Sequence, residues 1–272
     1  MTDSFSATSP SPVAKSFPAT SRARRAVRGP KLRFVLWALL FPVLGPGTLS
    51  AHDTIDVERA NALVAAAEEA AALTKKAAGA EPEGETHFAL GMVLVEATDI
   101  LNRDLAAHNG RLTVNAELLQ KALAQRNLAP RLDEAIGRYR VPRIPLEEAI
   151  RVSPEAPYAP RARFVLLKAR FYESFVLDPF ELLGIGFADL ERQIAEAEAL
   201  ATALSNADDA EEASFIRAVD LARAARLAPS PDVIRAYSGK AQKALAAFAE
   251  AHPESMRAAA ARMILKSVGA VQ

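Results

Sequence analysis

The side chains best suited to holding a metal ion are four histidines, His52, His87, His108 and His252. No two of them stand four residues apart, and there is no His-Glu-x-x-His motif, so no pair is set on one helical face in the manner of a zinc site. His52 differs in kind. A chain cleaved after Ala51 would begin with it, and its free amine and imidazole together could chelate copper. The acids Asp208, Asp209, Glu211 and Glu212 lack the central Gly and terminal Glu of a twelve-residue calcium loop. Their place at the start of a helix is explained by the helix dipole. Gly184-Ile185-Gly186 has neither the preceding strand nor the third glycine of a dinucleotide fingerprint. Gly239-Lys240 lacks the upstream glycine and following Ser or Thr of a phosphate loop. There is no Gly-x-Ser-x-Gly elbow. With no cysteine, thiolate metal sites, cysteine nucleophiles, disulfides and lipid-modified cysteines are excluded. Neither catalysis nor a cofactor is expected. Tyr139, Arg140, Arg143 and Tyr158 form a basic and aromatic cluster of the residue types that dominate interface hot spots. They are the expected partner-binding residues.

The charge balance bears on what the partner is. The chain of 272 residues has 33 basic and 33 acidic side chains. Lys15, Arg22, Arg24, Arg25, Arg28, Lys31 and Arg33 all precede position 51, accompanied by Asp3 alone. The remainder is therefore acidic by six charges. Phosphate binding needs clustered cations, so a nucleic-acid partner is not expected.

The basic start leads into Phe34 to Leu44, apolar except for Pro42, and then to Pro46-Gly47 and Thr48-Leu49-Ser50-Ala51. A positive region, a short apolar core and small residues at its end form the pattern of a secretory signal peptide. The apolar run is well short of the ~20 residues of a spanning helix. The expectation is export to the periplasm or the medium, with cleavage after Ala51 and no membrane span afterwards.

Beyond His52, Ala, Leu, Glu, Arg and Lys dominate, and no alternating strand pattern is visible. Helices are expected at about 55–78 and 85–108. In the second, Leu90, Leu94, Ala97, Leu101 and Leu105 share one face, and Asn109-Gly110 supplies the left-handed stop. A third helix is expected from an Asn115 cap to before Pro130. Six prolines divide 130–160 into short helical pieces. Later stripes run through Phe164, Leu167, Phe171 and Phe175, through Phe187, Leu190, Ile194 and Ala197, and through Ile234, Tyr237, Ala241 and Phe248. Such stripes joined by short linkers predict antiparallel helical hairpins. The organisation read from the sequence is a signal at 1–51, an N-terminal hairpin region at 52–129, a proline-rich connector at 130–160 and a C-terminal helical region at 161–272.

One internal repeat stands out. Pro154-Glu155-Ala156 followed by Ala159, Ala162 and Arg163 matches Pro253-Glu254-Ser255 followed by Ala258, Ala261 and Arg262, an offset of 99 residues. Ala244-x3-Phe248-x2-Ala251-His252-Pro253-x-Ser255, continued by Ala258 and Ala261, resembles the last half-repeat of bacterial periplasmic tetratricopeptide-repeat proteins. The resemblance covers about residues 244–268, with a fainter echo at 147–170. It implies an all-α array of about eight or nine helices, stacked as hairpins in a solenoid-like manner. It also implies a function as a scaffold or adaptor that binds a protein of the cell envelope, as family members do in outer-membrane assembly and cell division. The alternative is a secreted metal- or small-ligand-binding protein with His52 as a copper ligand.

Overall fold

The computed structural model of the chain describes residues 55–79, 83–174 and 184–269. The signal-like segment, His52 and Phe175 lie outside them. The described residues form nine α-helices and one two-stranded hairpin. In chain order these are α1 (Val57–Ala77), α2 (Glu83–Ala107), α3 (Val114–Ala124), β1 (Arg131–Asp133), β2 (Arg138–Arg140), α4 (Ile144–Val152), α5 (Ala159–Glu173), α6 (Phe187–Ala203), α7 (Ala207–Leu227), α8 (Pro231–Ala251) and α9 (Met256–Gly269). The architecture is all-α, as expected. No helix among the described residues is long and apolar enough to cross a membrane.

Local chemistry sets most of the boundaries. Asp56 caps α1, accepting the Arg59 N–H at 2.7 Å, and Lys75 and Lys76 lie in its last turn, where cations suit the dipole. Asn109 (φ 54°) and Gly110 (φ 81°) end α2, and the Gly110 N–H reaches back to the Leu105 carbonyl at 2.7 Å, closing a left-handed cap. The third boundary differs from expectation. Thr113 stands at the cap position of α3, while Asn115 lies inside the helix and its amide donates to the Ile55 carbonyl at 3.0 Å. A tertiary partner has drawn that side chain away from the local cap.

The proline-rich stretch also departs from the all-helical expectation, because it contains the hairpin. Leu132 pairs with Tyr139 in an antiparallel register, and Gly137 (φ 64°) turns the chain. Three-residue strands are too short to show alternation, so the sequence pattern could not announce them. The hairpin is held from outside. The Asn102 side chain on α2 accepts the Tyr139 N–H at 2.7 Å and donates to the Tyr139 carbonyl at 2.9 Å, occupying both main-chain groups as a further strand would.

The N-terminal core joins α1, α2 and α3 through Leu63, Ala67, Leu94, Leu101 and Leu119. The five-residue stripe expected on α2 is buried in full. The opposite face of α2 is used as well: Phe88, Met92 and Val95 pack with Leu146 of α4 and with Ala162 and Leu166 of α5. The C-terminal core runs from α5 to α9, with Phe171, Phe215 and Phe248 in successive edge or tilted contacts at 6.4 and 5.5 Å. On α8 the buried stripe is Ala241, Leu245, Phe248 and Ala249, whereas Ile234 is exposed.

Consecutive helices pack against each other from α5 onward, and alternate helices also touch, α5 on α7 and α7 on α9. The sequence repeat has a structural counterpart. The Arg163 guanidinium donates to the Pro154 carbonyl at 3.0 Å, and 99 positions later Arg262 donates to the Pro253 carbonyl at 3.4 Å. The turn bonds match too: Ser153, Ala156 and Ala159 donate to Ala149, Ser153 and Ala156, as His252, Ser255 and Ala258 do to Phe248, His252 and Ser255.

Candidate functional site

Alternate-helix packing places α7 between α5 and α9, and the acids at its start tie the three together. Glu212 is 2% exposed. It accepts from Lys168 at 3.0 Å and Tyr172 at 2.8 Å on α5, and lies 3.2 Å from Arg257 on α9. Glu211 accepts from Ser255 at 2.6 Å and Arg257 at 3.3 Å, with the His252 ring 3.4 Å away. These acids therefore serve as ties between repeats. Burial, and then the charge of Glu212, push the Tyr172 phenol well above its ordinary range, so it remains a neutral donor. The other described histidines also lie beside acids, His87 near Glu83 and His108 near Asp104. Among the described residues no group of three or more His, Cys, Asp or Glu side chains is placed to hold a metal ion.

Beside this ladder is a cavity of about 210 Å³. Met92, Val95, Asp99 and Asn102 of α2 form one wall. Ile136, Arg138, Tyr139 and Val141 of the hairpin region form the second, Phe164, Val165, Lys168 and Tyr172 of α5 the third, and Asp209 of α7 stands at the edge. The walls are mainly apolar, with charges of both signs set among them. Asp99 is the unusual member. Its carboxylate has no hydrogen bond among the described residues, and burial raises its pKa to about 6 against the attraction of Lys168, Arg103 and Arg138. Asp99 keeps some accessible surface, yet protein surrounds it densely because it faces a small cavity rather than bulk water. The surrounding protein desolvates the carboxylate and so favours its neutral form. Arg138 is shifted downward, also by burial.

No protein-family model, no curated protein and no solved structure matches this chain.

Arg140 and Arg143 line a second, more polar hollow of about 570 Å³, together with Arg170, Glu173, Arg192 and Glu196. Their charges are matched within the chain: Arg140 donates to Asp133 at 2.6 Å, Arg143 pairs with Glu173, and Arg170 donates to Glu196 at 2.6 Å. The two tyrosines expected beside them are elsewhere. Tyr139 is 8% exposed, within the N-terminal core and the cavity wall. Tyr158 stacks on Phe88 at 4.9 Å. The four residues adjacent in the proline-rich stretch thus serve three separate environments, and only the two arginines share a surface.

The residues that the sequence did not single out are Asp99, Asn102 and Arg138; Glu212 is read from it only as an acid favoured at a helix start. One signal was available for Asp99. Phe88, Met92, Val95 and Asp99 follow at steps of four, three and four, a second stripe on α2 that ends in an acid. An acid closing an otherwise apolar stripe marks a position facing something other than bulk solvent.

Proposed function

We propose that this chain is an exported helical-array protein that works as a scaffold or adaptor, binding a protein partner in the cell envelope. Support for export is the signal-like pattern of residues 1–51. The observation that carries the binding reading is the ladder in which α5, α7 and α9 lie side by side with repeated proline turns. An array of this kind offers a continuous face for an extended partner. Arg140 and Arg161 stand exposed near it, and a solvent-exposed ion pair such as that of Arg140 is weak enough to exchange for a partner's carboxylate.

A photo-crosslinking residue placed at Arg140 or Arg161 in living cells tests this reading. Lys243, exposed on α8, is the control, because α8 packs between α7 and α9 and is not part of the ladder. Defined adducts from Arg140 or Arg161 and none from Lys243 are expected. Adducts from Lys243 alone would overturn the assignment of the face. A second reading, small-molecule binding, is favoured by the cavity lined by Asp99, Lys168 and the apolar residues of α2 and α5.

A further inference from the structure

The hairpin leaves one of its edges open. Both main-chain groups of Tyr139 are taken by Asn102 on α2, so they point away from β1. Residues directly opposite each other in an antiparallel ladder share this character. The N–H and C=O of Leu132, which pairs with Tyr139, therefore also point outward, on the far side of β1. Among the described residues β1 packs against β2 and against no other element to a comparable extent. Leu132 is 42% exposed, an apolar residue at the centre of an unpaired edge. Edges that must stay single carry proline, lysine or a bulge instead. Charge is the second observation. Arg131 stands directly opposite Arg140, and like charges in a cross-strand pair are unfavourable. Asp133 answers Arg140, whereas Arg131 is exposed and has no ion pair among the described residues.

We propose that β1 pairs with β1 of a second copy of this chain, antiparallel about a two-fold axis at Leu132, joining two hairpins into one four-stranded sheet. A two-fold contact must be self-complementary. Arg131-Leu132-Asp133 meets that condition, because reversed against itself it sets Arg131 opposite Asp133 of the second copy at both ends. Charge also decides the register. The outward main-chain groups belong to alternate residues, so the pairing can slide only in steps of two. One such step sets Asp133 against Asp133, and the other sets Arg131 against Arg131. Only the register centred on Leu132 places unlike charges opposite each other. There the two Leu132 residues exchange N–H···O=C bonds in both directions, and their side chains cover each other. The Asp133 carboxylate, which accepts from Arg140 and the Ala135 N–H, keeps lone pairs for a second arginine. A three-residue edge makes a small contact, of the weak and reversible kind.

Sedimentation velocity of the full chain at concentrations up to about 1 mM, where weak contacts are populated, tests the pairing. A dimer that grows with concentration and dissociates on dilution is expected. Leu132→Pro removes the outward N–H and no bond within the hairpin. It should weaken dimerisation at least tenfold with unchanged far-UV circular dichroism. Arg131→Asp should weaken it as much, by setting two acids opposite each other. Adding Asp133→Arg to that chain reverses the motif, leaves Arg140 an acid directly opposite, and should restore the dimer. The chain has no cysteine, so a single introduced one reports its own neighbour. Under mild oxidation Leu132→Cys should link two chains, since hydrogen-bonded opposite residues lie about 5.5 Å apart, within disulfide reach. Arg131→Cys, diagonal to its counterpart at roughly 7–8 Å, and Lys243→Cys should not. Monomer at every concentration would overturn the proposal. So would a dimer undiminished in the folded Leu132→Pro chain, failure of the reversed motif to restore it, or Arg131→Cys linking as readily as Leu132→Cys. In the photo-crosslinking experiment an adduct of twice the chain's own mass reports this pairing and any other mass reports a different protein, so the adaptor reading and this one fail separately.

Discussion

Replacing Asp99 by Asn should make the unliganded protein more stable at neutral pH, although it removes a charge that three cations attract. The magnitude follows from linkage. A carboxyl with an ordinary value of 3.8 held at about 6 in the folded chain costs the folded state about 3 kcal/mol once ionised, at 1.36 kcal/mol per pKa unit. Water within the cavity would soften this, so about 1–3 kcal/mol is the working range. The sign is set by proton uptake. Between pH 3.8 and about 6 the folded state binds more protons at Asp99 than the unfolded state, so this group's contribution to stability falls as pH rises through that interval. It is most unfavourable above pH 6. Asn cannot ionise, and its advantage should be greatest near pH 7.5 and vanish towards pH 4. Urea unfolding of both chains at pH 7.5, 6, 5 and 4, followed by circular dichroism, gives the difference directly and cancels the titration of every other group. A difference that does not change with pH, or an Asn chain less stable at pH 7.5, would refute the reasoning. A residue that destabilises its own fold is explained most simply by a task that needs it, which is why the measurement bears on function.

Three further outcomes test the framework that holds the cavity. Asp220 and Arg223 form a pair at 2.8 Å with both side chains fully buried, and Arg223 also donates to Ser174 at 2.9 Å and lies over the Phe171 ring. Asp220→Ala should cost about 3–5 kcal/mol in urea unfolding, whereas Asp220→Leu combined with Arg223→Met should be close to neutral; equal losses would show that the pair is not being disfavoured by its own desolvation. Gly91→Ala should destabilise by about 1–2 kcal/mol despite the better helix propensity of Ala, because the added carbon would lie 2.5 Å from Leu146, which is fully buried and has no room to yield; a rise in the midpoint would show that α2 and α4 can separate. Glu212→Ala should cost about 3 kcal/mol, since it leaves the Tyr172 hydroxyl and Lys168 without their acceptor; in the same chain, removal of that negative charge should let Tyr172 ionise at lower pH in a spectrophotometric titration.

The sequence alone determined the helical class, the buried stripe of α2 and its Asn109-Gly110 stop, the aromatic core positions Phe164 and Phe171, and the proline-turn repeat. Each of these is local: a helix that buries one face must repeat apolar residues every three or four positions, and a turn must spend a glycine or proline. Tertiary structure decided the rest. Asn115 became a long-range donor to Ile55 rather than a cap, and Tyr139 entered a hairpin clamped by Asn102. Acids that looked like a helix start became the ties of Glu211 and Glu212 between repeats. Asp99 acquired its character only when α2, the hairpin and α5, distant in sequence, closed a small space around it. Periodicity reports that a face is covered, but not by what. The charge state and hydrogen bonding of a side chain depend on the covering residues, so they are settled only when the helices meet.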